Sequence, residues 1–301
     1  MTLRVAFIGF GEAGSTFGSA LAARGVEVAA YDLLLERPGG LERLKARAPG
    51  DRVRFCALSE ALRGARYVLS TVTTDVAREA AQRCAPHLGA EHTYVDLNAT
   101  DPAVKLEIGQ IVTASGAAFV EGAVLGQVGV SGARTEILLA GPHGRRAQRE
   151  LGDELGLNAR FYSEEIGKAS MFKMLRSVFS KGLEALLIEF FVAGERAGIR
   201  DDLWREVRRL MADHPFEQTA ANWVRSHATA HARRCHEMKQ VAGVLRQLGL
   251  DPVVTAATVA FFERSVTLGL EERFSATPAT MDEVVRFFDE RLPHSTRQGK
   301  Q

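Results

Sequence analysis

Gly9, Gly11 and Gly14 stand at the spacing Gly-x-Gly-x-x-Gly, directly after the apolar run Val5-Ala6-Phe7-Ile8. Such a turn brings a backbone against a polyanion. The first glycine turns the chain off a strand, the second lacks the Cβ that would hold a pyrophosphate away, and the third lets the next helix pack closely on the strand. The helix N-terminus that follows offers free N–H groups and a partial positive charge to phosphates. Alone the pattern is weak, but its context strengthens it. Phe17, Ala20 and Leu21 continue at helical spacing, and a second apolar run, 26–31, ends in Asp32. A carboxylate about 20 residues beyond the glycines can accept bonds from the hydroxyls of an adenosine ribose. Gly9, Phe10, Gly11, Glu12, Ala13 and Gly14 are therefore expected to cradle a dinucleotide, with Asp32 on its ribose. The competing explanation is a strand–helix–strand unit whose glycines serve packing alone. Asp32 repels a 2′-phosphate, so NAD is expected rather than NADP. NADP stays possible through Arg37, which a flexible loop can bring to that phosphate.

A second group of residues can move protons. Lys173 sits among Phe172, Met174 and Leu175. A lysine on a partly apolar face is poorly hydrated, and its pKa falls toward neutrality. It can then exchange a proton with a hydroxyl or carbonyl; a surface lysine with its head in water is the ordinary alternative. Ser177 falls one turn later on the same helix face, to bond substrate, orient the lysine or bond its own backbone. Asn98 follows the apolar run 92–97, and Thr71, Val72 and Thr73 end the run 67–72. The carboxyl ends of parallel strands face the ligand crevice, so all four are expected at the cofactor. Gly126 and Gln127 are expected to face substrate. His231 and Arg234 are further candidates, because an arginine can clamp a carboxylate with two parallel bonds. His227, His231 and Cys235 share a helix face at i, i+4, i+8, but no fourth ligand is visible, and no metal is expected.

The elements that must position these groups change character once along the chain. Up to residue 162, short apolar runs at 5–8, 26–31, 53–56, 67–72, 92–97, 117–124, 136–140 and 159–162 alternate with helical segments. These include a short basic helix over 41–48, a helix capped by Thr73-Thr74-Asp75, and one opened by Asp101-Pro102 with the aspartate as N-cap. Alternation of this kind predicts a doubly wound, mainly parallel α/β sheet, a Rossmann domain over 1–162. From Ser163 the pattern is helical throughout, over 166–197, 202–212, 216–248, 252–268 and 281–291, giving an all-α domain over 163–301 joined by a long helix. On that helix Phe172, Leu175, Phe179, Leu183, Leu186, Leu187 and Phe190 form one apolar stripe. The stripe exceeds what a small helical domain buries, so a homodimer is expected. Ser295 to Gln301 reads as a frayed tail.

Composition excludes several classes. The 301 residues carry a net charge of +1, are 46% hydrophobic and 25% charged. Nothing suggests nucleic acid or an acidic membrane surface. No apolar run reaches the length of a membrane span. The first strand begins almost at once, and Cys56, Cys84 and Cys235 are unpatterned, so a cytoplasmic protein with reduced thiols is expected.

Four stretches together resemble the β-hydroxyacid dehydrogenases, which include 3-hydroxyisobutyrate and 6-phosphogluconate dehydrogenases. Phe7-Ile8-Gly9-Phe10-Gly11-Glu12-Ala13-Gly14 looks like the family's opening fingerprint. Asp96 to Pro102 is similar to its Asp-x-Ser/Asn-x-x-x-Pro segment beside the nicotinamide. Glu121 to Gln127 lies where its substrate loop belongs, and Gly167-Lys168-Ala169-Ser170-Met171-Phe172-Lys173 looks like the motif that ends in its catalytic lysine. The resemblance spans nearly the whole chain. It implies a Rossmann domain, a helical domain, substrate in the cleft between them, and dimers. It also implies hydride transfer between NAD(P) and a small, carboxylate-bearing hydroxy acid or alcohol, with Lys173 as general acid/base. Two positions depart from the pattern. The substrate loop reads Leu125-Gly126-Gln127 in place of Ser-Gly-Gly, and Ser177 replaces the asparagine that follows the lysine by four residues. The closer similarity is to a prokaryotic phosphogluconate-dehydrogenase-like branch. Imine reductases share the architecture, generally without the lysine, and a nucleotide-binding sensor is the non-enzymatic alternative.

Overall fold

The computed structural model describes residues 3–48, 50 and 52–293; the tail 295–301 lies outside them. All eight strands expected from the sequence form: β1 (Arg4–Ile8), β2 (Glu27–Tyr31), β3 (Val53–Phe55), β4 (Tyr67–Ser70), β5 (Thr93–Asp96), β6 (Ala118–Leu125), β7 (Glu136–Ala140) and β8 (Ala159–Ser163). They make one sheet in the order β3-β2-β1-β4-β5-β6-β7-β8, parallel except for the β6–β7 pair. Side chains alternate across a strand, and β1 shows the result. Val5 and Phe7 enter one core, with Phe17, Leu21 and Leu139, while Ala6 and Ile8 enter a second, with Val68, Tyr94 and Phe119. Burial on both faces explains why these strands read as continuous apolar runs rather than alternating ones.

The helices interleaved with the sheet are α1 (Glu12–Ala23), α2 (Gly40–Lys45), α3 (Leu58–Leu62), α4 (Ala77–Cys84), α5 (Pro102–Ala114), α6 (Val128–Ser131) and α7 (Gly144–Ala147). Asp101 caps α5 as expected, accepting from the backbone N–H groups of Ala103 and Val104 at 2.8 and 3.0 Å. The Thr73–Asp75 segment behaves differently. Thr74–Val76 forms a 3₁₀ turn, and α4 starts only at Ala77, with no side-chain cap.

Helical structure then takes over in α8 (Lys168–Arg196), α9 (Arg200–Asp213), α10 (Phe216–Gln247), α11 (Val253–Thr267), α12 (Leu270–Arg273) and α13 (Met281–Arg291). The chain divides into two compact units, one ending at Val178 and the other starting at Phe179. The division by packing thus falls inside α8, later than the end of the last strand, because the first turn of α8 is bonded to β6. In the helical unit α11 begins on a carboxylate. Glu189 of α8 accepts from Val254 N and Thr255 N, each at 2.9 Å, which satisfies orphan donors and opposes the helix dipole. A capping box of Thr280 and Glu283 opens α13.

Candidate cofactor and active site

The glycine loop lies where β1 meets β4, the point at which the strand order reverses and ligands of open α/β sheets bind. The three glycines differ in what a side chain would meet. Gly9 has φ +85°, and a Cβ there would lie 2.8 Å from the Thr71 carbonyl oxygen. A Cβ on Gly14 would come within 2.4 Å of the Gly9 carbonyl oxygen and 2.7 Å of Thr71 Oγ1. A Cβ on Gly11 would meet nothing within 4 Å, so the missing atom leaves open space on the side that a pyrophosphate must approach. Thr71 Oγ1 donates to the Gly9 carbonyl at 2.7 Å and ties the loop to the end of β4.

Two cavities flank this loop within the sheet unit. The first, of about 420 Å³, is lined by Gly9, Gly11, Tyr31, Asp32, Thr71 and Val76, among others. Asp32 is half-buried at the end of β2. Its Oδ2 accepts from Phe10 N at 2.7 Å and its Oδ1 from Leu34 N at 2.9 Å, so the carboxylate is fixed and each oxygen retains a lone pair for a ribose hydroxyl. The second cavity, of about 630 Å³, brings together Glu12, Thr73, Asn98, Gly126, Gln127 and Lys173; Ala13, Thr71 and Val72 also line it. Residues more than 70 positions apart in sequence thereby share one wall. The donors, the empty space at Gly11 and the placed carboxylate fit a dinucleotide.

Asn98 is buried, and its amide nitrogen donates to Ser70 Oγ at 2.9 Å and to the Asp96 carboxylate. Its Oδ1 is buried without a hydrogen-bond partner among the described residues. A buried acceptor without a partner costs free energy, and a cofactor carboxamide or substrate hydroxyl can relieve that cost. Lys173 is half-buried, and no carboxylate among the described residues pairs with it. Burial first, and the nearby Lys105 ammonium second, hold its pKa below the ordinary lysine value.

Two residues that carry this site escaped the sequence reading of roles. Lys105 is fully buried. Its ammonium donates to the carbonyls of Asp96, Asn98 and Gly122 at 2.8, 2.7 and 3.1 Å, and lies 3.0 Å from Asp96 Oδ2. It fixes the turn on which Asn98 sits. Glu121, fully buried in β6, accepts from Gly167 N and, at 2.6 Å, from Ser170 N. It holds the first turn of α8 and so places Lys173. A signal for both existed. Lys105 shares the helix face of Ile108, Gly109 and Val112, and Glu121 interrupts an apolar strand; charges in such positions are almost never buried unless paired.

Other candidates stand elsewhere. Ser177 is exposed, does not line the cavity, and donates to the Lys173 carbonyl at 3.0 Å, the local backbone bond. His231 and Arg234 belong to the helical unit. His231 is buried, with Nδ1 3.2 Å from the carbonyls of His227 and Ala228 and Nε2 3.2 Å from Glu271. Arg234 donates to Ser226 Oγ at 2.8 Å and lines an aromatic cavity of about 580 Å³ with Trp223, His227, Phe261 and Phe288. His227 Nε2 lies 3.0 Å from Ser265 Oγ; burial, then His231 and Arg234, push its pKa down to about 4.

The fold and the loop geometry define the class: a protein with an NAD-binding Rossmann domain followed by a helical unit. Residues 4–150 match the NAD binding domain of 6-phosphogluconate dehydrogenase, and residues 195–265 match a domain of unknown function, DUF1932. A conserved hypothetical protein from Sinorhizobium meliloti 1021 is 30% identical, with 97% of each chain covered and a TM-score of 0.61. A conserved protein of unknown function, MTH1747, described as structurally similar to 3-hydroxyacid dehydrogenases, is 31% identical over 90% of this chain and 97% of its own, with a TM-score of 0.59. A variant imine reductase from Myxococcus stipitatus, solved with NAD+, is 16% identical over 96% of this chain and all of its own; its TM-score of 0.75 shows a shared fold. The chain belongs to the 6-phosphogluconate dehydrogenase-like family of NAD-binding proteins.

Proposed function

We propose that the protein is an NAD(P)-dependent oxidoreductase acting on a small hydroxy acid or alcohol, with Lys173 as the general acid/base. When bound, the dinucleotide supplies hydride chemistry at nicotinamide C4. The chain's own residues do the rest. The glycine loop and the N-terminus of α1 take the pyrophosphate, and Asp32 takes the ribose. Asn98 offers its unpartnered Oδ1 to the carboxamide or to the reacting hydroxyl. Lys173 Nζ takes the hydroxyl proton as the alcohol is oxidised and returns it in the reverse direction. Gly126 and Gln127 line the substrate side. The observation that carries this reading is a half-buried lysine, with no carboxylate partner among the described residues and a lowered pKa, on the same cavity wall as Asn98 and Thr73.

Lys173→Met tests it. The Lys173 ammonium makes no hydrogen bond or ion pair among the described residues, so the fold should hold while kcat falls by about 10²–10⁴. A near-wild-type rate in the folded variant would mean that another group, or water, carries the proton. Asp32→Ala should narrow the preference for NAD over NADP, read by titrating both; tighter NADP binding by the unmodified protein would refute the preference. Imine reduction is the second reading, favoured by the fold shared with imine reductases. It uses the same cofactor site and delivers the proton to nitrogen. A panel of hydroxy acids, alcohols and cyclic imines separates the two, and cofactor binding without turnover of any of them would indicate a sensor.

A further inference from the structure

A charge cluster at the adenosine end of the pocket plays no part in proton transfer. Tyr31 ends β2 immediately before Asp32. Its hydroxyl donates to the Glu36 carboxylate and accepts from Arg83 Nη2 at 2.6 Å. The same Arg83 nitrogen lies 3.2 Å from Glu36 Oε1, and the guanidinium carbon is 5.5 Å from the centre of the Tyr31 ring. Tyr31 and Arg83 line the cavity that holds Asp32, as does the acidic Glu79; Glu36 does not line it.

An arginine at the adenosine end is the usual means of accepting a 2′-phosphate, because its planar fork bonds two phosphate oxygens at once. Here one nitrogen of that fork, Nη2, already meets both Tyr31 and Glu36. Its charge is met by Glu36 and its position is fixed by Tyr31. A 2′-phosphate that bonds Arg83 must compete with Glu36 for its charge and also lie near the Asp32 and Glu79 carboxylates. A cofactor with a free 2′-hydroxyl faces no such competition. Asp32 adds like-charge repulsion to this outcome, and each of its oxygens keeps a lone pair for a ribose hydroxyl. We propose that Glu36, by neutralising Arg83 on the wall of the adenosine pocket, acts with Asp32 to exclude a 2′-phosphorylated cofactor. The inference rests on the assignment of this cavity to the nucleotide.

The test uses ADP-ribose and 2′-phospho-ADP-ribose as probes, titrated by calorimetry into the full chain and needing no turnover. The unmodified protein should bind ADP-ribose more tightly. Glu36→Gln should raise affinity for 2′-phospho-ADP-ribose by about five- to tenfold, and that for ADP-ribose should move by less than roughly threefold. The gain should shrink in 0.5 M salt, as an exposed charge contact requires. Adding Arg83→Met to Glu36→Gln should abolish it. An unchanged affinity for the phosphorylated probe in folded Glu36→Gln, or a gain that survives the loss of Arg83, overturns the proposal while the cavity assignment stands. Failure of both probes to bind the unmodified protein overturns the cavity assignment and the proposal together.

Discussion

The two units treat charge and apolar surface in opposite ways. The sheet unit buries ions. Lys105, Asp96 and Glu121 have no exposed surface, and each is met by opposite charge or by backbone groups. The helical unit and the helix leading into it expose hydrophobics: Leu175 is 62% exposed, Phe179 56% and Leu186 47%. Exposed apolar side chains scattered singly are unremarkable, whereas a row along one helix marks a surface that associates. The contrast teaches a division of labour. Fully paired buried charges fix the positions of a few reacting groups, because breaking any of them is costly. Uncovered apolar rows fix nothing by themselves and gain free energy by finding a partner.

The sharpest way to break this contrast is to unpair the buried ions. Lys105→Ala should destabilise the sheet unit by about 3–5 kcal/mol, because it strands Asp96 in the interior. Denaturant unfolding followed by Tyr67 and Tyr94 environments, or by loss of cofactor binding, reads this directly. The paired change Asp96→Leu with Lys105→Met should recover only the part of that loss that comes from the stranded charge, because the carbonyls bonded by Lys105 still lose their donor. It should also weaken cofactor binding, since the turn carrying Asn98 loses the two bonds from Lys105 to its carbonyls. A mild effect of Lys105→Ala would mean that water reaches the pair.

The stripe on α8 gives the next largest effect. We expect a homodimer at micromolar concentration by light scattering, and Phe179→Ser with Leu183→Ser should shift it toward monomer. A monomeric unmodified protein would leave the exposed row unexplained and end the contrast on that side.

Much of the sheet unit was legible in sequence because its signals are local. Buried parallel strands announce themselves as apolar runs, and Asp101-Pro102 states its own helix start. Gly9, Gly11 and Gly14 act through backbone positions that adjacent residues dictate. What stayed hidden depends on contacts far apart in the chain. Glu36 meets Arg83 across 47 residues and Glu121 meets Ser170 across 49; no window of sequence contains either pair. The four-residue helices α6 and α12 are too short for a period to show. On α8 the apolar spacing foretold an amphipathic helix, but a pattern states which residues share a face and not whether that face is covered.

The smallest expected effect concerns Lys173. Its folded pKa lies below that of an unfolded lysine, so between the two values the unfolded chain binds more protons and stability rises with pH. Below the folded value the penalty is present in full. Lys173→Met removes it, and the variant should be more stable than the unmodified protein at pH 7. The advantage should fade as pH rises toward about 10.4, the ordinary lysine value. Equal stabilities at pH 7 would mean that Lys173 is as well hydrated as a surface lysine.

The pairing of Lys105 with Asp96 also bears on how this chain can diverge. Losing either residue alone leaves an isolated ion in the interior, whereas exchanging both for apolar residues removes the two charges together and costs only the bonds they make to the turn. A lineage therefore cannot drift from one state to the other by single tolerated steps. Descendants should carry both residues or neither, and a sequence with one alone should show a compensating change at a neighbour of the β5–α5 turn. The turn that presents Asn98 is in this sense inherited as a unit, and its two halves are two letters of one word.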